Sequence, residues 1–268
     1  MTNQLTLTRN VGRNSMPDQI DVALVQTCLA HIKANTKFGM KALWLRQIDG
    51  KNSKELADAI ATFQAIEKLK VTGRIEAAGG QTFIKIKHRI PSTIMPILAK
   101  NLAKFSHTSG NKHYTLAGGV SLSAAIEDKV SKIARIYYAL TKSNIYVTSG
   151  TRTPATQARA MFNNLKQKRS WLTSTYKTQT LAGPVGIAFD TAQAAGQSDQ
   201  ATISDMEKVI SNQVATGQYI SNHLISGAVD IRSKNMNPSQ LVIFKDVAPH
   251  IAKLVLLETT SPHWHLQF

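Results

Sequence analysis

The segment from residue 221 to residue 231 places the tightest constraint on how this 268-residue chain can fold. It contains His223 and Asp230, seven positions apart, with Gly227 between them. On one continuous helix the two side chains would stand about 10 Å apart along the axis, and Gly227 disfavours such a helix. A loop that returns into a β-strand at residues 228–231 would instead bring the imidazole and the carboxylate together.

The C-terminal segment, residues 262–268, carries two more histidines. His263 and His265 stand at positions i and i+2, so on a strand both side chains point to the same side. Imidazole and carboxylate groups are good ligands of Zn²⁺, and catalytic zinc sites combine three protein ligands with a water molecule. The sequence therefore predicts a zinc centre built from His223, Asp230 and the C-terminal histidines.

Apolar residues recur at helical or strand spacing in several segments of the chain. Helices are predicted over residues 18–34, 53–68, 122–141, 154–168, 203–215 and 238–252. Strands are predicted over residues 145–148, 228–231, 254–257 and 264–268. Residues 170–202 are rich in Thr, Gln, Ala and Gly and show little periodicity. We expect a long loop with short helical pieces there, and long loops in compact domains are often functional.

This order of elements predicts an α+β protein with two domains. Residues 1–90 form a small helical N-terminal domain, and residues 91–118 form a connector. Residues 119–268 form a larger domain with a central antiparallel sheet flanked by helices. The single cysteine, Cys28, excludes an internal disulfide, and its spacing from neighbouring apolar residues predicts a position in the core.

The net charge of +16 comes from 32 Lys and Arg residues against 16 Asp and Glu residues. Such a charge favours polyanionic partners, which include nucleic acid, anionic lipid or lipopolysaccharide, and anionic cell-wall polymers. The basic residues are dispersed along the chain, and neither a helix-turn-helix nor an aromatic-basic surface is evident, so DNA is not the expected partner. A solvated basic surface without a specific ligand is the alternative.

The sequence also bears on the compartment. No stretch approaches the roughly 20 apolar residues of a membrane-spanning helix. Residues 1–14 are polar and lack the apolar core of a Sec-type signal peptide. Together with the lone cysteine, this fits folding in a reducing cytoplasm. Later delivery by a route that needs no signal peptide is compatible with the same features.

Three segments, in this order, resemble the zinc-dependent D-alanyl-D-alanine carboxypeptidase and endopeptidase family. This family includes the vancomycin-resistance D,D-peptidases and many phage endolysins. Its pattern is SGxR, then SxHxxGxAxD, then a C-terminal histidine on a strand. The corresponding segments here are Ser149–Arg152, Ser221–Asp230 and His263–His265. The resemblance covers roughly residues 120–268.

The resemblance implies a role for each matching position. The residues that would bind Zn²⁺ are His223, Asp230 and His265. Arg152 would hold a substrate carboxylate or carbonyl and stabilise the negative charge that develops on oxygen. Gln157 and Ser221 would contribute to substrate binding.

The general base is the point at which this sequence departs from the family pattern. The family places Glu or Asp three residues before the last zinc-binding histidine, and this chain has Pro262 there. One alternative is His263, because an HxH pair resembles the lysostaphin-like and penicillin-insensitive murein endopeptidases, in which the first histidine assists catalysis. The other is Glu258, if residues 259–261 bring it to the metal. We favour His263.

Residues 10–86 resemble a peptidoglycan-binding domain. Such domains carry DVxxVQ on a first helix and AIxxFQ on a later one, which stand here at Asp21–Gln26 and Ala59–Gln64. A short Asp49-Gly50 turn before the second helix also fits that family. A plain helical domain is the alternative, since both motifs consist mostly of helix-core positions.

Together, the resemblances imply a zinc peptidase that cleaves the peptide part of bacterial peptidoglycan, first of all a D,D-endopeptidase acting on the cross-link. The alternatives are a D,D-carboxypeptidase, an L-alanyl–D-glutamate peptidase and a non-catalytic cell-wall-binding protein with a structural zinc site. The setting would be a phage endolysin or an injected antibacterial effector. The chain would then be made in the cytoplasm and act as a monomer in the periplasm or cell wall, with an immunity protein or a secretion-apparatus component as a further partner of an effector.

Overall fold

The computed structural model describes residues 4–36, 39–77, 79–107, 111–176, 179–225, 227–259 and 261–268. The helices are α1 (Gln19–His31), α2 (Lys54–Ile66), α3 (Gln81–Arg89), α4 (Met95–Leu102), α5 (Ala124–Thr141), α6 (Pro154–Gln167), α7 (Trp171–Thr175), α8 (Gln179–Ala194), α9 (Asp199–Ala215) and α10 (Pro238–Val247). Short 3₁₀ helices lie at Ser92–Ile94, Asn222–Ile225 and Ala248–His250. The strands are β1 (Val11–Gly12), β2 (Lys33–Thr36), β3 (Gly39–Ala42), β4 (Arg74–Ile75), β5 (Tyr114–Leu116), β6 (Ile145–Ser149), β7 (Ala228–Arg232), β8 (Leu254–Glu258) and β9 (His263–Gln267). The predicted α+β class is confirmed.

The first helix begins where the sequence predicts and ends earlier. The side chain of Asp18 accepts a hydrogen bond from the backbone N–H of Ile20 and so caps α1. The predicted continuation to residue 34 is wrong, because residues 33–36 leave the helix and pair antiparallel with β3. Cys28 is fully buried in α1 as predicted, and burial raises the pKa of its thiol to about 12.

The largest sheet has the strand order β5-β6-β7-β9-β8. All of its neighbouring strands pair antiparallel except β5 and β6, which are parallel. The predicted strands thus form an antiparallel sheet, and β5, which was not predicted, adds a parallel edge to it. The reason is that α5 connects β5 to β6, and a helical crossover is the connection that parallel neighbours require.

The segment 170–202 is helical, and the prediction of a long loop there is wrong. It forms α7, α8 and the first turn of α9, while residues 177 and 178 lie outside the described residues. Its inward-facing positions are often small or polar, so the sequence shows little periodicity. Packing supplies the order instead. Helices α6 to α9 share an apolar cluster that includes Met161, Phe162, Leu172, Val185, Phe189, Met206 and Ile210.

A second and larger apolar cluster joins the N-terminal helices to the sheet. It contains side chains of α1, α2, α4, α5 and α10 together with one face of β6, β7 and β9. Within this cluster a buried ion pair connects α5 to α1, with Arg135 Nη2 2.6 Å from Asp21 Oδ1. The domain boundaries near residues 90 and 118 stay predictions, and the apolar cluster is continuous across both.

None of the helices in the described part of the chain could span a lipid bilayer, since none combines the required length with an apolar sequence.

Candidate metal centre

Two adjacent strands, β7 and β9, carry most of the predicted site. Asp230 on β7 pairs directly with His265 on β9. Trp264 and Leu266 alternate with the histidines and are buried in the core, where the Trp264 ring stacks on Phe244. Because alternate residues point to opposite faces of a strand, burial of Trp264 holds His265 on the other face of the sheet, beside Asp230.

The third predicted ligand, His223, comes from the 3₁₀ turn before β7. Its ring Nδ1 donates a hydrogen bond to the carbonyl of Gly150 at 2.8 Å. The Oγ of Ser221 accepts a hydrogen bond from the backbone N–H of His223 at 3.3 Å, so the Ser221 side chain stabilises this turn. Leu224, the next residue, packs against the α6–α9 cluster. Ser226, which also belongs to the SxHxxGxAxD segment, lies outside the described residues.

The approach of His223 depends on Gly150. A Cβ atom at position 150 would lie 2.3 Å from the carbonyl oxygen of Ser121, closer than any side chain tolerates. The glycine of the SGxR segment therefore lets the chain pass Ser121 while its own carbonyl holds the imidazole.

These contacts bring the three predicted ligands together. One ligand atom from each of His223, Asp230 and His265 lies within 4.8 Å of the other two. Asp230 is central, with Oδ1 2.8 Å from His265 Nδ1 and Oδ2 3.4 Å from His223 Nε2. His223 is buried and the other two side chains are partly buried. The group could hold a metal ion.

The hydrogen bonds around His223 fit such an ion. Since Nδ1 of His223 carries the proton that it donates to Gly150, neutral His223 presents the Nε2 lone pair to Asp230. A lone pair and a carboxylate oxygen that face each other at 3.4 Å are both acceptors, and a cation between them satisfies both. Ligands at about 2.0–2.1 Å from a tetrahedral metal stand roughly 3.3–3.4 Å apart.

His265 has a matching contact on its far side. Its Nε2 lies 3.2 Å from the side-chain amide of Gln267, two residues further along β9. If Nδ1 of His265 binds the metal, Nε2 carries the proton and requires an acceptor, which the amide oxygen of Gln267 supplies after a rotation of the amide. Outer contacts of this kind orient the ligands of metal sites.

Asp230 is kept ionised by its neighbours. Burial on its own would raise the pKa of this carboxyl group, but its contacts with the imidazole rings of His223 and His265 outweigh burial and hold the pKa well below its ordinary value. A carboxylate that stays deprotonated at neutral pH is the form that binds a cation.

Arg152 is held by a chain of polar contacts. Its guanidinium donates to Gln157 Oε1 at 3.0 Å and to Ser149 Oγ at 2.7 Å. Its backbone N–H donates to the carbonyl of His223 at 2.9 Å, so Arg152 is tied to the turn that carries the ligand. Gln157 is completely buried and donates in turn to the hydroxyl of Tyr176 at 3.0 Å. Gln157 thus holds the guanidinium of Arg152 from the buried side.

Of the two candidates for the general base, His263 lies beside the cluster and Glu258 lies beside His263. His263 and Glu258 face each other across β9 and β8. The Nε2 of His263 is 3.6 Å from Glu258 Oε2 and 3.6 Å from Asp230 Oδ1. Nδ1 of His263 donates to the carbonyl of Ser261, which leaves Nε2 of the neutral ring as a proton acceptor. Thr260, in the loop between the two strands, lies outside the described residues.

Two contacts of the site were not predicted. Tyr176 follows α7, in the segment predicted as a loop, so the sequence carried no signal that it meets Gln157. Gln267 had a signal that was overlooked, because position i+2 after a strand histidine lies on the same face.

No protein-family model matches the chain, and no curated protein or solved structure is significantly similar to it.

Proposed function

We propose that this protein is a zinc-dependent peptidase that hydrolyses the peptide part of bacterial peptidoglycan. The observation that carries the proposal is the cluster of His223, Asp230 and His265, which comes from separate segments and lies at the positions that the peptidase resemblance implies. A D,D-endopeptidase acting on the peptide cross-link is the expected activity. The protein works as a monomer at the cell wall, as a phage endolysin or as an injected effector with an immunity protein.

Zinc is the proposed metal, since two imidazoles and one carboxylate form a common catalytic zinc site. When bound, zinc polarises a carbonyl group and lowers the pKa of water to about 7, which makes a nucleophile available at neutral pH. Arg152 contributes a fixed positive charge next to the cluster. Its hydrogen bonds to Gln157 and Ser149 orient the guanidinium before substrate arrives, so it can stabilise negative charge on the carbonyl oxygen under attack.

His263 is the proposed general base. It accepts the proton of the attacking water at Nε2 and later delivers it to the leaving amine. The contact with Glu258 favours this assignment, because a neighbouring carboxylate stabilises the imidazolium that forms. Glu258 itself is 53% exposed, which suits a supporting role better than that of the base.

Replacement of His263 by Ala is expected to lower the turnover rate by about 10²- to 10⁴-fold while zinc stays bound. Glu258→Gln is the matched variant, because it removes the neighbouring carboxylate and leaves His263 in place. We expect it to retain most of the activity. Turnover is measured on a purified muropeptide, and bound zinc is measured by elemental mass spectrometry. A collapse of activity in Glu258→Gln alone identifies Glu258 as the base, and full activity of both variants contradicts both assignments.

The reaction itself is tested on isolated sacculi. Digestion by the purified protein is expected to convert cross-linked muropeptide dimers into monomers, and a chelator is expected to stop it, with zinc restoring it. Mass spectrometry of the products separates the alternatives, because a D,D-carboxypeptidase releases D-alanine and leaves dimers intact. A protein that binds stoichiometric zinc and yields no new muropeptide contradicts the peptidase proposal.

One observation favours a second candidate. The acid that the family places three residues before its last zinc histidine is replaced by Pro262. This fits a non-catalytic cell-wall-binding protein with a structural zinc site. Such a protein would bind sacculi through residues 10–86 and leave the muropeptide profile unchanged.

A further inference from the structure

A second arginine stands on the same face of the sheet as the metal cluster. Arg232 ends β7 two residues after Asp230, so alternation places both side chains on one face. It lies opposite His263 on β9. Its guanidinium carbon is 4.5 Å from the centre of the Tyr146 ring on β6.

Arg232 is fixed in position and still exposed. Contact with the flat face of the Tyr146 ring limits the rotamers of the long Arg232 side chain. The N–H groups of the guanidinium stay available as hydrogen-bond donors. Among the residues that the structure describes, Arg232 forms no ion pair. Glu258 lies on the same face, but β9 separates the two strands, and two strand spacings amount to about 9.6 Å.

The two arginines lie on opposite sides of the cluster. Since β6 runs antiparallel to β7 and Ser149 pairs with Asp230, the chain after Ser149 continues toward the start of β7. Arg152 therefore lies at that end, and Arg232 lies at the other. Two residues of a strand span about 6.6 Å. A peptide extended along the strands over Asp230 would thus meet Arg152 on one side and Arg232 one or two residues away on the other.

We propose that Arg232, supported by Tyr146, is a subsite for a free carboxylate on the substrate peptide. The carboxylate belongs to a residue one or two positions from the scissile bond. Guanidinium groups bind carboxylates through paired, charge-assisted hydrogen bonds, and an arginine held by an aromatic ring loses little freedom when it binds. This inference rests on the proposed function, and it specifies the substrate further: the carboxylated form of the stem peptide is preferred over the form in which these carboxylates are amides.

The test compares two ligands that differ only in this charge. One is a synthetic cross-linked stem-peptide dimer with free D-glutamyl and diaminopimelyl carboxylates. The other is the same dimer with these groups as carboxamides. Calorimetry measures the binding of each to the metal-free protein, in which cleavage does not interfere. We expect Arg232→Gln to weaken binding of the carboxylated dimer by about 10- to 100-fold and to leave binding of the carboxamide dimer unchanged.

Two further variants sharpen the comparison. Tyr146→Leu is expected to give a smaller loss in the same ligand-selective pattern, because it removes the support and keeps the charge. Lys245→Gln is the control, since it removes an equal charge from an exposed position on α10, which packs against the core face of the sheet. Equal effects of Arg232→Gln on both dimers, or no effect on either, overturn the subsite.

The zinc-loaded protein is then tested with the same two dimers. A failure to cleave either one contradicts the proposed peptidase function, whereas the calorimetric difference between the dimers decides the subsite independently. A wild-type protein that binds the two dimers equally also overturns the subsite, even if both are cleaved.

Discussion

Asp230→Ala is expected to lose bound zinc and to lower muropeptide release by at least about 1,000-fold. Asp230 is the member of the cluster that contacts the other two predicted ligands, so its loss removes the only anionic ligand of the three and a neighbour of both imidazoles. A metal ion contributes several kcal/mol to stabilisation of the transition state, and each 1.36 kcal/mol corresponds to a factor of ten in rate. Elemental mass spectrometry measures the metal, and chromatography of sacculus digests measures the activity.

The matched control for this variant is Asp205→Ala, which removes an acidic residue of α9 that forms an exposed ion pair with Lys208 in the next turn. It is expected to keep both zinc and activity. An Asp230→Ala protein that is folded and still holds one zinc per chain shows that the metal lies elsewhere. A protein that loses zinc and keeps its activity shows that the metal has no part in the reaction.

The metal cluster was predictable from the sequence because short-range rules and the resemblance to the zinc peptidases point to the same residues. Residues two apart on a strand lie on the same face, and this rule placed His263 and His265 together. A loop containing Gly227 before a strand placed His223 near Asp230. The pairing of Asp230 with His265 and the hydrogen bond of His223 to Gly150 are long-range contacts, which these local rules do not supply and the resemblance implied. The environment of the cluster was less predictable, since the contact of Gln157 with Tyr176 depends on how α7 packs.

The fold was predictable to the same extent. Helices α2, α5 and α6 were predicted to within a few residues, because each has a regular apolar stripe, and α2 and α6 also begin at a capping side chain. Helix α8 was missed because Ala182 and Gly186 face the core in place of large apolar side chains, so little periodicity is visible. Strand β5 was missed because three residues are too few to show alternation, and its parallel pairing with β6 exists only through the packing of α5.

The second large effect concerns stability, and it follows from the buried ion pair between α5 and α1. Arg135 is 5% exposed and Asp21 is fully buried. Asp21 also accepts hydrogen bonds from Thr8 Oγ1 and from the backbone N–H of Arg9. These hydrogen bonds satisfy the Asp21 carboxylate in part, but Arg135 is the cation that balances the charge of Asp21. Arg135 Nη2 also lies 3.6 Å from Oδ1 of a second buried carboxylate, that of Asp18.

Arg135→Met is therefore expected to lower the free energy of unfolding by about 3–5 kcal/mol, because it removes the cation that pairs with the buried carboxylate of Asp21. Urea denaturation followed by circular dichroism measures the change. Lys166→Met is the control: the pair of Lys166 with Asp199 is 2.9 Å long and solvent-exposed, so its loss should cost less than about 1 kcal/mol. The double variant Asp21→Asn with Arg135→Met is expected to recover part of the loss, since it removes both charges of the pair. If Arg135→Met proves no more harmful than Lys166→Met, the ion pair does not hold α5 to α1, and the apolar contacts around it carry that packing alone.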